Sequence, residues 1–274
     1  MGDILEAQMI SNEIDRIKKV YRLRKERGIF WSLFRPEVHF MDFELQRQYL
    51  RAFKICGVTE ENIGRKKILD AGCGGGRWLR WFQDLGFRQL FGVDIRDQEI
   101  NEARQLNPGI NFYNASISSL SFEDNYFDFV ILSEVFSSIL EDRLIEDSAK
   151  ELLRVLAPGG AILFNDNNKK SVENTKINGE HYLRCIKKED LDKLFPNSQI
   201  YFLSFLVNPS LTGALTSVVN RGLFNSIFRR MPFVGKNFNQ QKALMIKFPY
   251  CLVEMLKHFN AFNIHIFAVI RKTR

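Results

Sequence analysis

No run of eighteen apolar residues occurs anywhere in this chain, so a transmembrane helix is not expected. The opening MGDILEAQ puts Asp3 and Glu6 where a secretory leader needs basic and then apolar residues, and the expectation is a cytoplasmic protein. Cysteine is sparse and dispersed. Cys56, Cys73, Cys185 and Cys251 form no close pair, which argues against a disulfide framework and a thiolate zinc site. The four histidines (His39, His181, His258 and His265) show no HExxH or similar spacing, so no metal is expected. Internal repeats and low-complexity segments are absent too. What remains is an ordinary globular composition, 45% apolar and 26% charged, in a chain of 274 residues, enough for one domain with a buried core.

The charge is unevenly placed. Residues 36–207 hold 21 basic and 26 acidic groups, whereas residues 208–260 hold seven basic groups against Glu254 alone. A localised basic stretch points to an anionic partner or surface more than to any particular fold.

Helical spacing at Ile10, Ile14, Ile17, Tyr21 and Leu23 predicts a first helix from Leu5 to Arg27, and a second is expected from Phe43 to Ile55. From Lys67 the pattern becomes strand, helix, strand, helix. KKILDA, RQLFGVD, INFYN, FDFVILS and AILFND read as strands, with RWLRWFQDLG, DQEINEARQL and LIEDSAKELLRVL as helices between them. The last of these helices is expected to stop at Pro158–Gly159–Gly160. KKEDLDKLF adds a short helix, QIYFLSFLV a sixth strand and HIFAVIRK a seventh. Short apolar strands alternating with helices mean a parallel sheet covered on both faces. The expected organisation is a single domain over 1–274. Residues 1–60 form a helical cover, 61–207 with 261–274 the core, and 208–260 a basic, aromatic helical insertion before the last strand.

The stretch ILDAGCGGGRW carries the chemistry. Gly72, Gly74 and Gly76 form a strand-to-helix turn in which backbone must approach a ligand, and a nucleotide is the expected one. The dinucleotide fingerprint needs its third glycine where this chain has Arg77. Asp70 leads into the turn, and a carboxylate there repels a pyrophosphate but suits a ligand with an amine or positive centre. S-adenosylmethionine is such a ligand. Asp94, ending the second strand, can accept both hydrogen bonds of a ribose diol, and Asn114–Ala115–Ser116 follows the third strand, where an amide carbonyl can face adenine.

In order along the chain, LDAGCGGG, GVDI, FDFVILSEVF and LLRVLAPGG resemble the class I S-adenosylmethionine-dependent methyltransferases, in the broad small-molecule (type 11-like) group. The likeness is tight from Lys67 to Asp166. It implies a Rossmann-like, doubly wound α/β fold with seven strands in the order 3-2-1-4-5-7-6, the last antiparallel. It also implies that Asp70, Gly72, Cys73, Gly74 and Gly76 line the methionine end and that Asp94 and Ile95 hold ribose and adenine. Asn114, Ala115 and Ser116 then lie by the adenine, and Ser133 and Glu134 at the floor. Asn114 departs from the family's usual Asp.

Methyl transfer needs the acceptor held in line at about 3–3.5 Å, and a base only for a hydroxyl or protonated amine. Glu134, Asp166 and His39 are the candidates, with His181 beside them; the plainer roles are amine binding for Glu134 and turn capping for Asp166. Relatives acting on quinones or sterols carry histidines where this chain has Glu134–Ser138. VFSSI and the LFP turn at 194–196 resemble instead a bacterial subgroup encoded with surface-glycan genes, which implies a sugar or sugar-linked lipid as acceptor. The expected substrate is thus a small molecule or glycan, lipid-linked in one version. Segment 208–260 reads either as a lid touching the inner face of a membrane or as a cap with its aromatics packed inward. The alternatives are a nucleic-acid methyltransferase, disfavoured by the mildly acidic body, and a cofactor-binding partner subunit without turnover.

Overall fold

The structure is a computed structural model that describes residues 2–28, 36–168, 176–177, 180–203 and 265–273. Two helices, α1 (Gly2–Glu26) and α2 (Pro36–Ile55), precede the first strand. The repeating unit follows as β1 (Lys67–Ala71), α3 (Arg77–Leu85), β2 (Gln89–Asp94), α4 (Asp97–Leu106), β3 (Asn111–Asn114), β4 (Phe127–Ser133), α5 (Asp142–Val155) and β5 (Leu156–Asn167). A two-residue pairing of β6 (Lys176–Ile177) with β7 (Glu180–His181) comes next, then α6 (Lys188–Leu194), β8 (Ser198–Leu203) and β9 (His265–Lys272).

Seven strands form one sheet in the order β3-β2-β1-β4-β5-β9-β8. Counted within the sheet alone this is 3-2-1-4-5-7-6, as expected. The first five strands run parallel and β9 is antiparallel to both neighbours. The fold is therefore the Rossmann-like doubly wound sheet. Its apolar strands carry side chains into the helical layers, so Leu69, Val130, Leu132, Ile162 and Phe164 are essentially without exposure, alongside Leu144, Ala149 and Leu152 of α5. Helix α3 buries Trp78, Leu79 and Phe82, and Gly86 ends it in the left-handed region at φ 112°.

Register places the chemistry. Asp70 lies beside Gly92, Asp94 beside Asn114 and Ser133 beside Asn165, so the acids and amides share the carboxyl edge of the sheet. Open parallel sheets bind their ligands outside that edge.

The structure differs from the pattern in three places. The Pro158–Gly160 triplet lies inside β5 rather than stopping α5, which already ends at Val155. β5 pairs Leu156 with Phe127, shifts register, and resumes with Ala161 beside Phe129; the excess residues bulge, with Gly159 at φ 77°. Helix α2 begins at Pro36, seven residues before the expected start, because proline is pre-organised for a first helical turn. The β6–β7 pairing had no signal in the pattern. The chain divides into two compact units, one of residues 1–30, 48–203 and 265–274, the other of 31–47 and 204–264. The expected insertion at 208–260 lies outside the described residues.

Candidate functional site

Four glycines lie in the turn after β1, and three of them take positive φ. Gly72, Gly74 and Gly76 have φ of 85°, 52° and 76°, where a side chain is strained. A Cβ at Gly72 would stand 2.6 Å from Val135 Cγ2, and one at Gly76 2.6 Å from Phe112 Cζ. The turn is tied to β2 by Gly72 and Cys73, whose N–H groups donate to Val93 O at 2.8 and 2.9 Å. The Cys73 side chain is buried, and burial pushes its thiol far above the usual range; its N–H is given to Val93 O and its carbonyl accepts from Gly76 N–H.

Asp70 enters the turn with 2% exposure, and its Oδ2 has no hydrogen-bond partner. Burial, with Asp94 nearby adding to it, raises its pKa to about 8. A buried carboxylate oxygen without a donor is costly unless a donor arrives. Asp94 is in the opposite state. Oδ1 accepts from the main-chain N–H and Nε of Arg96 at 3.0 and 2.9 Å, and Oδ2 from Gly74 N–H and Arg96 Nη2 at 2.9 and 3.0 Å. Ile95 packs partly buried on the core.

At the end of β3, Asn114 Nδ2 donates to Asp94 O at 3.0 Å, which leaves its carbonyl oxygen as the acceptor. The Ala115 N–H donates to the same Asp94 O at 3.1 Å. Ser116 Oγ is spent on a local turn with Ser118, at 2.8 Å to the hydroxyl.

The ends of β4 and β5 form the floor. Glu134 sits at φ 57°, a left-handed conformation rare for a side-chain-bearing residue, and its N–H donates to Asn165 O at 2.7 Å. Ser133 Oγ accepts from Asn165 Nδ2 at 3.3 Å, while Asn165 Oδ1 is buried without a partner. Asp166 is wholly buried, and both its oxygens are engaged by the N–H groups of Ser137 (3.0 Å) and Asn167 (2.8 Å). Burial raises its pKa to about 7 against those two bonds. Asp166 therefore holds the 3₁₀ turn Phe136–Ser138, which follows β4 rather than its own strand. His39 lies on α2, its side chain outside what is described, and His181 is exposed on β7 of the separate two-stranded pairing.

Several residues at this edge were not anticipated. Tyr49 of α2 is fully buried, edge-on to Trp78, Phe82 and Phe267, with its hydroxyl lacking a hydrogen-bond partner; burial, with the charge of Asp70 adding to it, pushes the phenol pKa up. Helix α1 roofs the edge between β2 and β4. Glu13 accepts from Leu140 N–H at 2.6 Å, Arg16 donates to Ser138 O at 2.7 Å, and Tyr21 Oη meets Ser138 Oγ at 3.0 Å. The Arg96 guanidinium lies 4.4 Å from the Tyr21 ring centroid. The pairing of Arg96 with Asp94 had one available signal, a base two residues beyond the strand-ending acid. The α1 contacts had none.

The residues present fit a nucleoside with an ammonium group: an open acceptor on Asp70, a glycine turn that admits close approach, and an amide carbonyl on Asn114. Among the described residues, no cluster of three or more His, Cys, Asp or Glu could hold a metal ion.

Residues 69–164 match a protein family described as a methyltransferase domain. A tRNA N(3)-methylcytidine methyltransferase of Schizosaccharomyces pombe is 29% identical over 54% of this chain and 52% of its own length. A ubiquinone biosynthesis O-methyltransferase of Idiomarina loihiensis is 32% identical over 45% of this chain and 52% of its own. The chain thus spans about half the length of these curated relatives. A solved S-adenosylmethionine-dependent methyltransferase from Archaeoglobus fulgidus shares the fold at 19% identity and TM-score 0.51, over 84% of this chain and 93% of that one.

Proposed function

We propose, from the premise that residues 69–164 form a class I S-adenosylmethionine-dependent methyltransferase domain, that the protein moves a methyl group onto a small-molecule or glycan acceptor, lipid-linked in one version. The observation that carries the cofactor is the buried, unpartnered Oδ2 of Asp70 at the mouth of the glycine turn. It is an acceptor waiting for a charged donor, and the α-ammonium of the cofactor supplies one.

When bound, S-adenosylmethionine supplies an electrophilic methyl on a good leaving group. Asp70 binds the amine, the turn at Gly72–Gly76 lets backbone approach, and Asn114 accepts from adenine. Glu134, held in its strained conformation on the floor, orients the acceptor or takes its proton. Positioning at van der Waals distance provides much of the acceleration, so no metal or strong base is required of this chain.

The S. pombe relative acts on tRNA, and this favours a nucleic-acid acceptor as the second reading. Calorimetric titration with S-adenosylmethionine, S-adenosylhomocysteine and NAD tests the cofactor; binding of NAD alone overturns it. Methyl-transfer assays with nucleotide sugars, glycolipids and tRNA then separate the acceptors.

A further inference from the structure

Asp94 is the expected partner of a ribose diol, yet the four lone-pair positions a carboxylate offers are all taken, three of them by Arg96. A diol has nowhere to donate until one donor leaves. Two of the four are main-chain N–H groups held by the turns; the other two belong to one guanidinium, which is the part able to swing. That guanidinium also stands in the mouth of the glycine turn, because a methyl placed on Gly74 would lie 3.4 Å from Arg96 Nη2.

Release does not strand a buried cation. Arg96 Nη1 already reaches Glu99 Oε1 at 3.1 Å, and the Tyr21 ring faces the guanidinium at 4.4 Å. Both groups can keep the charge paired after the fork leaves Asp94, and one of them belongs to the roofing helix α1.

We propose that Arg96 is an internal occupant of the ribose subsite, which must leave Asp94 before a nucleoside diol can bind. The fraction of molecules with Arg96 released then sets the apparent cofactor affinity. The proposal rests on the cofactor reading above. With about one molecule in ten released, the apparent Kd is roughly tenfold weaker than the intrinsic value. An Arg96 that merely held Asp94 in place has the opposite signature, because its removal would loosen the carboxylate and weaken binding.

The test is calorimetric titration of S-adenosylhomocysteine into the wild type, Arg96→Ala and Arg96→Lys, each with its unfolding midpoint. The expected result is binding roughly tenfold tighter in Arg96→Ala and a few-fold tighter in Arg96→Lys, which keeps the charge but loses the fork. Unchanged or weaker binding in a folded Arg96→Ala overturns the proposal and leaves the cofactor reading standing. If Arg96→Ala does not fold, Arg96→Lys decides by the same sign. A folded wild type and folded variants that all fail to bind remove the cofactor reading, and the occupant with it.

Discussion

Asp70 and Asp166 are acids whose folded pKa values, about 8 and about 7, lie above the usual carboxylate range because both are buried. The folded state therefore holds more protons than the unfolded chain between about pH 4 and pH 8. Their contribution to stability is complete below the unfolded pKa and is lost as pH rises through the folded one. The unfolding midpoint of the cofactor-free protein should fall from pH 5 to pH 8, with a shallower slope in Asp70→Asn; an equal slope would refute the assignment. An ammonium prefers the ionised form of Asp70, so cofactor binding near pH 7 should release protons. Titration in buffers of different ionisation enthalpy would detect them, and Asp70→Asn should release fewer. Gly76→Ala combines φ 76° with a Cβ 2.6 Å from Phe112 Cζ and should cost about 2–4 kcal/mol, read as a lower unfolding midpoint. The glycine turn, Asp70 and Asp94 were visible in the sequence because a strand end and a tight turn are local. The occupation of Asp94 by Arg96 was not, since it depends on how two side chains fill one small volume.

The 3₁₀ turn Phe136–Ser138 is an element held from two sides, by Asp166 of β5 and by Arg16 and Tyr21 of α1. Asp166→Ala leaves the Ser137 and Asn167 N–H groups without acceptors and should destabilise the protein by about 1–3 kcal/mol for each that water cannot reach. Asp166→Asn keeps an acceptor oxygen and should retain most of kcat, whereas a proton-accepting Asp166 would lose nearly all of it; steady-state rates on an identified acceptor decide. Glu13 ties α1 to Leu140, and Glu13→Ala should release the helix. Trypsin is then expected to cut at Arg16, Lys18 and Lys19 sooner than in the wild type, while the sheet stays resistant. An unchanged cleavage rate would mean that burial of Ile17 and Val20 alone holds α1 down.

At the scale of the whole molecule, the concentration of positive charge in one segment calls for an anionic surface. No helix among the described residues is long and apolar enough to cross a membrane. Residues 208–260, with seven basic groups against one acidic, are proposed to touch an anionic lipid surface. Flotation with anionic phospholipid vesicles should carry the protein upward at low salt and release it as salt rises, because surface charges are screened within about 10 Å at 0.1 M. Neutral vesicles should not carry it. Binding to tRNA with a steep salt dependence, and no flotation, would favour the nucleic-acid acceptor instead.

The amino-acid sequence alone determined the seven strands, their order, the glycine turn and the two acids that flank it. The strands, the turn and the acids follow from period and turn chemistry, which act over a few neighbouring residues, while the order is what the resemblance to the methyltransferase family implied. Only the tertiary structure decided that α1 packs against the turn after β4, that Tyr49 is buried among Trp78, Phe82 and Phe267, that Asp166 holds a turn and that Arg96 fills the acceptor of Asp94. Tyr21 meets Ser138 across 117 positions of chain, and no local pattern encodes such a meeting. It arises because the folded sheet brings its strand ends to one edge, where the polar groups left there must find partners among whatever packs beside them.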